Sequence, residues 1–172
     1  QYGRVASHFR DVRDVVSLPV PGFTARESLP ADASVVLRLL TDAALAAAGG
    51  EPFVLVGYSA GGILAHATAC ALEEAGVRPD GLVLIDSAPV DRPAEGAPDA
   101  SAAPGMTDMV VGLFELEPSV GRFDNAQLTG MAWYVDLLAD FDLRDTAAPV
   151  LYLRSQKPMG AGHPPVTWPY AD

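Results

Sequence analysis

Apolar residues along this chain follow two alternating patterns. Short continuous runs, Pro52-Phe53-Val54-Leu55-Val56, Leu82-Val83-Leu84-Ile85 and Val150-Leu151-Tyr152-Leu153, are what strands buried on both faces of a parallel sheet require. Between them lie stretches with helical spacing. Ala31 to Ala48 places Val35, Val36, Leu39, Leu40 and Ala43 on one stripe, with Asp32 as the N-cap and Gly49-Gly50 closing the helix. Ile63 to Ala75 predicts a second helix, rich in Ala and Leu. Val12 to Val20 reads as a further strand ending at the turn Pro19-Val20-Pro21-Gly22, and residues 1 to 11 as the end of a helix with Val5, Ala6 and Phe9 on one face. Strand and helix in alternation predict an α/β fold: a parallel sheet flanked by helices, with right-handed crossovers.

The alternation breaks after Asp86. Asp91 to Gly105 is rich in Pro, Ala and Gly and reads as a loop, and two helical stretches follow, about 107–116 and 125–141. Their residues Met106, Met109, Phe114, Met131, Trp133 and Tyr134 suit either a lid over an apolar substrate or ordinary core. The expected organisation is one domain over 1–172 with a lid-like insertion over 87–145. An irregular tail with Pro158, Pro164, Pro165 and Pro169 begins at Ser155.

The strongest chemical signal is Gly57-Tyr58-Ser59-Ala60-Gly61-Gly62, which falls between a predicted strand and a predicted helix. That context makes G-x-S-x-G a nucleophile elbow, with a serine on a strained turn and with Gly57 and Gly61 where side chains would collide with the neighbouring strand and helix. The turn also sets the Ser59 hydroxyl at a helix N-terminus, where unpaired N–H groups and the helix dipole favour developing negative charge. The alternative is a Gly-rich turn with an idle serine.

A length of 172 residues suits one domain with a substantial core. The net charge of −11 argues against nucleic acid and anionic membrane surfaces, both of which call for basic patches. The stretch from Phe53 to Leu72 is apolar, but Gly57, Tyr58, Ser59, Gly61, Gly62 and His66 cut it, so no membrane span is expected. One cysteine, Cys70, rules out a disulfide framework within the chain and fits a reducing, cytoplasmic setting, as does the lack of a signal-like opening. Cys70 itself reads as a small buried apolar residue.

A serine hydroxyl needs a base to take its proton and an acid to orient that base. Asp86 ends the strand Leu82–Ile85, at the carboxyl edge where parallel sheets place their sites. The strand at Val150 ends in Arg154-Ser155-Gln156 and offers no carboxylate. A simple loop or helix cap is the other reading of Asp86. The base is less legible. His66 follows Ser59 by seven residues on one helix, about 10 Å along the axis, and reads as a packed residue. His8 precedes the whole sheet. His163 has the right chain order but sits in Gly160-Ala161-Gly162-His163-Pro164-Pro165, with no helix to fix it.

These residues, taken together, resemble the thioesterase domain that ends modular type I polyketide synthases, within the α/β-hydrolase superfamily. The resemblance rests on Leu18-Pro19-Val20-Pro21-Gly22-Phe23, on Pro52 through Gly62, on Leu64-Ala65-His66 and on Leu82 through Ser87. It continues in Pro149 through Arg154, Pro158-Met159-Gly160 and Thr167-Trp168-Pro169-Tyr170. An acid 27 residues after the serine and followed by a lid is the most specific part. Peptide-synthetase thioesterases share it, while the Pro-Gly-Phe and Pro-Met-Gly pieces tilt the resemblance to the polyketide side.

The resemblance implies an α/β-hydrolase fold with a helical lid insertion. Ser59 would take an acyl chain from the phosphopantetheine arm of an acyl carrier protein, expected in the same polypeptide. Water or a hydroxyl of the polyketide chain would then release it as an acid or a macrolactone. Asp86 would orient the base, and the Ala60 N–H would be one oxyanion donor. No metal or bound cofactor is implied beyond the carrier's arm. Self-association as a homodimer would run through helices preceding residue 1. The family histidine would lie in a Gly-Asp-His-Phe-like segment past Asp172, and an interior strand before residue 1, so the chain is expected to be the middle of a longer domain. A discrete editing thioesterase, a general esterase of the same fold and a non-catalytic truncated relative are the other readings.

Overall fold

The computed structural model describes residues 2–87 and 123–154. In chain order the elements are α1 (Tyr2–His8), α2 (Ala33–Ala48), β1 (Val54–Tyr58), α3 (Ala60–Glu74), β2 (Gly81–Ile85), α4 (Asn125–Leu137) with a 3-10 turn at Leu138–Asp140, and β3 (Val150–Leu153). The strands form one parallel sheet in the order β1-β2-β3. Val54 pairs with Gly81 and Tyr58 with Ile85, and Leu82 to Ile85 pair with Val150 to Leu153.

Local chemistry sets the helix ends. Asp32 accepts from the Val35 N–H at 3.0 Å and so caps α2, while Gly49 closes it in a left-handed conformation. Asp124 and Gln127 form a reciprocal capping box at the start of α4, which satisfies two N–H groups that the helix cannot.

Helix α3 is buried on two sides, which explains its small residues. Ala69 and Leu72 face the sheet with Leu55, Leu82 and Leu84. Ile63 and Ala67 meet Val36 and Leu40 of α2 and Tyr134, Leu137, Leu138 and Phe141 of α4 and its extension. The far end of α3 is tied to the approach to β3. Glu73 accepts from Thr146 Oγ1 at 2.6 Å and from the Ala148 N–H at 3.0 Å. Partial burial pushes this carboxyl upward, but these bonds and nearby Arg78 outweigh it and hold it below the usual range.

The Pro21-Gly22-Phe23 loop is pinned by α4: Phe23 stacks on Tyr134 with ring centres 5.5 Å apart, and the Tyr134 hydroxyl donates to the Pro21 carbonyl at 3.1 Å. The opposite sheet face has no cover among the described residues, and Val54, Val56, Tyr58, Leu151 and Leu153 are exposed there.

Two expectations need correction. Residues 13–20 form no strand, and Val12, Val15 and Val16 are exposed. β-branched residues favour extended backbone, but a strand exists only by pairing, and β1 pairs with β2 alone among the described strands. On α2, Leu40 is buried at 6 % exposure while Leu39 is 46 % exposed; the stripe turns inward through Val36, Leu40 and Ala44. The 16-residue helix matches the expected span to within two residues, and the strands at Val54, Gly81 and Val150 also form. The stretch expected as a helix over 107–116 lies outside the described residues.

The α2 orientation is tested by paired truncations. Leu40→Ala should lower the unfolding free energy by about 2–4 kcal/mol. Leu39→Ala should change it by less than about 0.5 kcal/mol. Chemical denaturation followed by circular dichroism reads both.

Candidate active site

Ser59 joins β1 to α3 at φ 52°, ψ −126°, a conformation that L residues rarely adopt. Such a residue costs of the order of 1–3 kcal/mol and persists only where its surroundings over-determine it. Here they do. The Ser59 N–H donates to the Ile85 carbonyl of the neighbouring strand at 2.9 Å, and the Ser59 carbonyl accepts from the Gly62 N–H at 2.9 Å. A serine at an N-cap ordinarily folds its hydroxyl back onto the helix N–H groups. At Ser59 no such side-chain cap bond forms, so the hydroxyl is not committed to the helix.

The glycines let helix and strand close up. A Cβ built at Gly57 would run into the Gly61 carbonyl and the Gly62 Cα, and one at Gly62 would run into the Ser87 side chain. The elbow motif flags Gly57. The need for Gly62 was not predicted, because the obstacle, Ser87, lies 25 residues further on in the chain.

Asp86 is the residue just beyond β2, as Ser59 is just beyond β1. The register pairs Tyr58 with Ile85, so Ser59 and Asp86 are the next positions along two adjacent strands, which run about 4.8 Å apart. Asp86 is also left-handed, at φ 48°, and its N–H donates to the Leu153 carbonyl at 2.7 Å. The backbones of Ser59 and Asp86 therefore lie side by side at the carboxyl edge of the sheet, both at positive φ. Ala60 is the first residue of α3, and its N–H is one of the first four in the helix, which have no intrahelical partner.

The histidines do not complete the set within the described residues. His66 is fully buried on α3, with Nε2 2.9 Å from the Arg144 carbonyl. A carbonyl only accepts, so this nitrogen carries the proton. Burial lowers the His66 pKa against smaller upward effects of that bond and of Glu73 and Asp145, so the ring is neutral near pH 7. It serves packing. His8 is exposed at the end of α1, and His163 lies outside the described residues.

Two cavities among the described residues lie away from Ser59. One of about 230 Å³ is lined by Cys70, Glu73, Glu74, Arg144 and Asp145, at the opposite end of α3 from Ser59. Another of about 330 Å³ lies around Phe53 and Val77, at the amino-terminal end of the sheet. Cys70 is buried, and burial pushes its thiol pKa up, away from nucleophilic character. Among the described residues no cluster of His, Cys, Asp and Glu could hold a metal ion, and no helix is long and apolar enough to cross a membrane.

Comparison with known proteins shows the family and the fold. A family model described as "Thioesterase domain" matches residues 1–167. The spectinabilin polyketide synthase system protein NorC of Streptomyces orinoci is 38% identical over 98% of this chain, and EryA3, the erythronolide synthase of Saccharopolyspora erythraea, is 33% identical over 93%. The chain spans only 7% and 5% of those two proteins. Among solved structures, the RedJ thioesterase of the prodiginine pathway in Streptomyces coelicolor is similar at a TM-score of 0.55 and 22% identity, covering 80% of this chain and 57% of that one. The NocB thioesterase domain of the nocardicin cluster gives 0.56 and 20%, covering 78% and 55%. These structural likenesses support the α/β-hydrolase fold.

The close approach at Gly62 makes a specific prediction. Gly62→Ala should destabilise the protein by about 1–3 kcal/mol, although alanine favours helices. Adding Ser87→Gly should recover part of that loss, giving a favourable coupling in a double-mutant cycle. Additive losses would place the obstacle elsewhere.

Proposed function

The chain belongs to the thioesterase-domain family, and from that premise we propose that it releases acyl chains from a carrier protein through an ester on Ser59. The supporting observation is the pairing of two left-handed residues, Ser59 and Asp86, on adjacent strand ends.

The steps follow from that geometry. A histidine base takes the Ser59 proton while the oxygen attacks the thioester carbonyl. The carbonyl oxygen becomes an oxyanion, and the Ala60 N–H, at the positive end of α3, donates to it; such a donor is worth roughly 3 kcal/mol of barrier. The intermediate collapses, the C–S bond breaks, and the phosphopantetheine sulfur leaves with the proton from the imidazolium. Water, or a hydroxyl of the polyketide chain itself, then attacks the acyl ester with the same base, giving an acid or a macrolactone and regenerating Ser59. Asp86 orients the imidazole and stabilises its charged form. The proposed base is a histidine other than His66, whose Nε2 is held by the Arg144 carbonyl.

The curated relatives are large polyketide synthase proteins of which this chain spans a few per cent. That favours a carrier protein in the same polypeptide over a discrete editing enzyme.

Exposure of the full-length protein to a long-chain acyl thioester, followed by intact mass measurement, tests this reading. An acyl adduct should form and should be absent in Ser59→Ala, with turnover falling by a factor on the order of 10³ or more. An adduct that persists in Ser59→Ala would remove the serine from the mechanism.

A further inference from the structure

The side chains behind Asp86 have an arrangement that the reaction steps do not use. Ser87 is fully buried, and its Oγ donates to the Ile85 carbonyl at 3.2 Å. That same carbonyl accepts the Ser59 N–H at 2.9 Å. The Ser87 side chain also fills the space against Gly62 in the first turn of α3. The turn that carries the acid is thus packed directly on the turn that carries the serine.

The Ser87 carbonyl accepts a hydrogen bond from the Tyr152 hydroxyl at 2.8 Å. Tyr152 lies on β3 opposite Leu84 and packs against the inner core with Leu82 and Leu84. Its ring is rooted in that core, and its hydroxyl reaches the chain past the end of β2. The next residue of β3, Leu153, accepts the Asp86 N–H at 2.7 Å. Asp86 is therefore tied to β3 on both sides, by its own N–H and by the carbonyl of the residue after it.

The first tie belongs to the parallel ladder and needs no particular side chain. The second does: it is a phenol hydroxyl supplied by one residue. Asp86 sits at φ 48°, a left-handed conformation that aspartate visits only occasionally, and its two ties to β3 hold it there. We propose that Tyr152 is a positioning residue for the reaction, its hydroxyl fixing the Ser87 peptide and through it the direction of the Asp86 carboxylate. The proposal rests on the assignment of Ser59 and Asp86 as nucleophile and acid.

Tyr152→Phe removes only the hydroxyl and keeps the packed ring, so the fold should survive; thermal melting verifies this. In the full-length protein acting on an acyl thioester, kcat should fall about 5- to 20-fold with KM within about twofold, because orientation is lost and not substrate binding. The acid limb of the pH–rate profile should also move to lower pH. A poorly aligned carboxylate stabilises the imidazolium less, so the base loses its proton at lower pH. In an Asp86→Asn background, measured on the residual activity, Tyr152→Phe should change the rate by less than about twofold.

A Tyr152→Phe enzyme with wild-type kcat and pH profile would overturn the role. So would a loss of the same size in the Asp86→Asn background, which would show Tyr152 acting independently of the acid. An Asp86→Asn enzyme as active as wild type would instead remove the acid assignment, and this role with it.

Discussion

The carbonyl of Ile85 is the point on which the site depends. It ends β2, and it accepts both the N–H of Ser59 from the next strand and the hydroxyl of Ser87 from the turn beyond Asp86. One acceptor thus joins the ends of two strands and holds two left-handed residues side by side. Parallel strands in register make this arrangement available, since both carry their C-terminal ends to the same edge. Without that shared acceptor, each strained turn would have to be stabilised separately.

Helix α3 transmits this constraint into the rest of the molecule. It begins at the elbow, so its placement on the sheet fixes the direction of its N–H groups. Gly57 and Gly62 allow the helix to approach closely, and its Ala-rich faces let the sheet pack on one side and α2 and α4 on the other. Glu73 fastens the opposite end of α3 to the segment leading into β3. The strand that supplies Leu153 and Tyr152 to the acid turn is therefore positioned by the same helix that presents the serine.

Much of this was legible in the sequence because the signals are local. A G-x-S-x-G between an apolar run and an Ala-rich helix specifies the elbow, Asp32 and Gly49 mark the ends of α2, and Asp86 stands at the end of a four-residue apolar run. The less legible features depend on contacts distant in the chain. The role of Gly62 depends on Ser87, the acid turn depends on Tyr152, and His66 is occupied by a carbonyl 78 residues away. Val12 to Val20 shows the reverse failure: its composition favours a strand, but pairing decides, and none of the described strands pairs with it. Leu39 fitted the α2 stripe by spacing, yet the helix rotates it outward because Leu40 fills the contact with α3 and α4.

The central claim is that Ser59 is made reactive by its position beside Asp86. It is tested most directly by treating the full-length protein with a fluorophosphonate, which labels only an activated serine, and mapping the adduct by tandem mass spectrometry. The account predicts a single labelled serine, Ser59, with labelling slowed on the order of 10²-fold or more in Asp86→Asn. Labelling at another residue, or at Ser59 with an unchanged rate in Asp86→Asn, would contradict it.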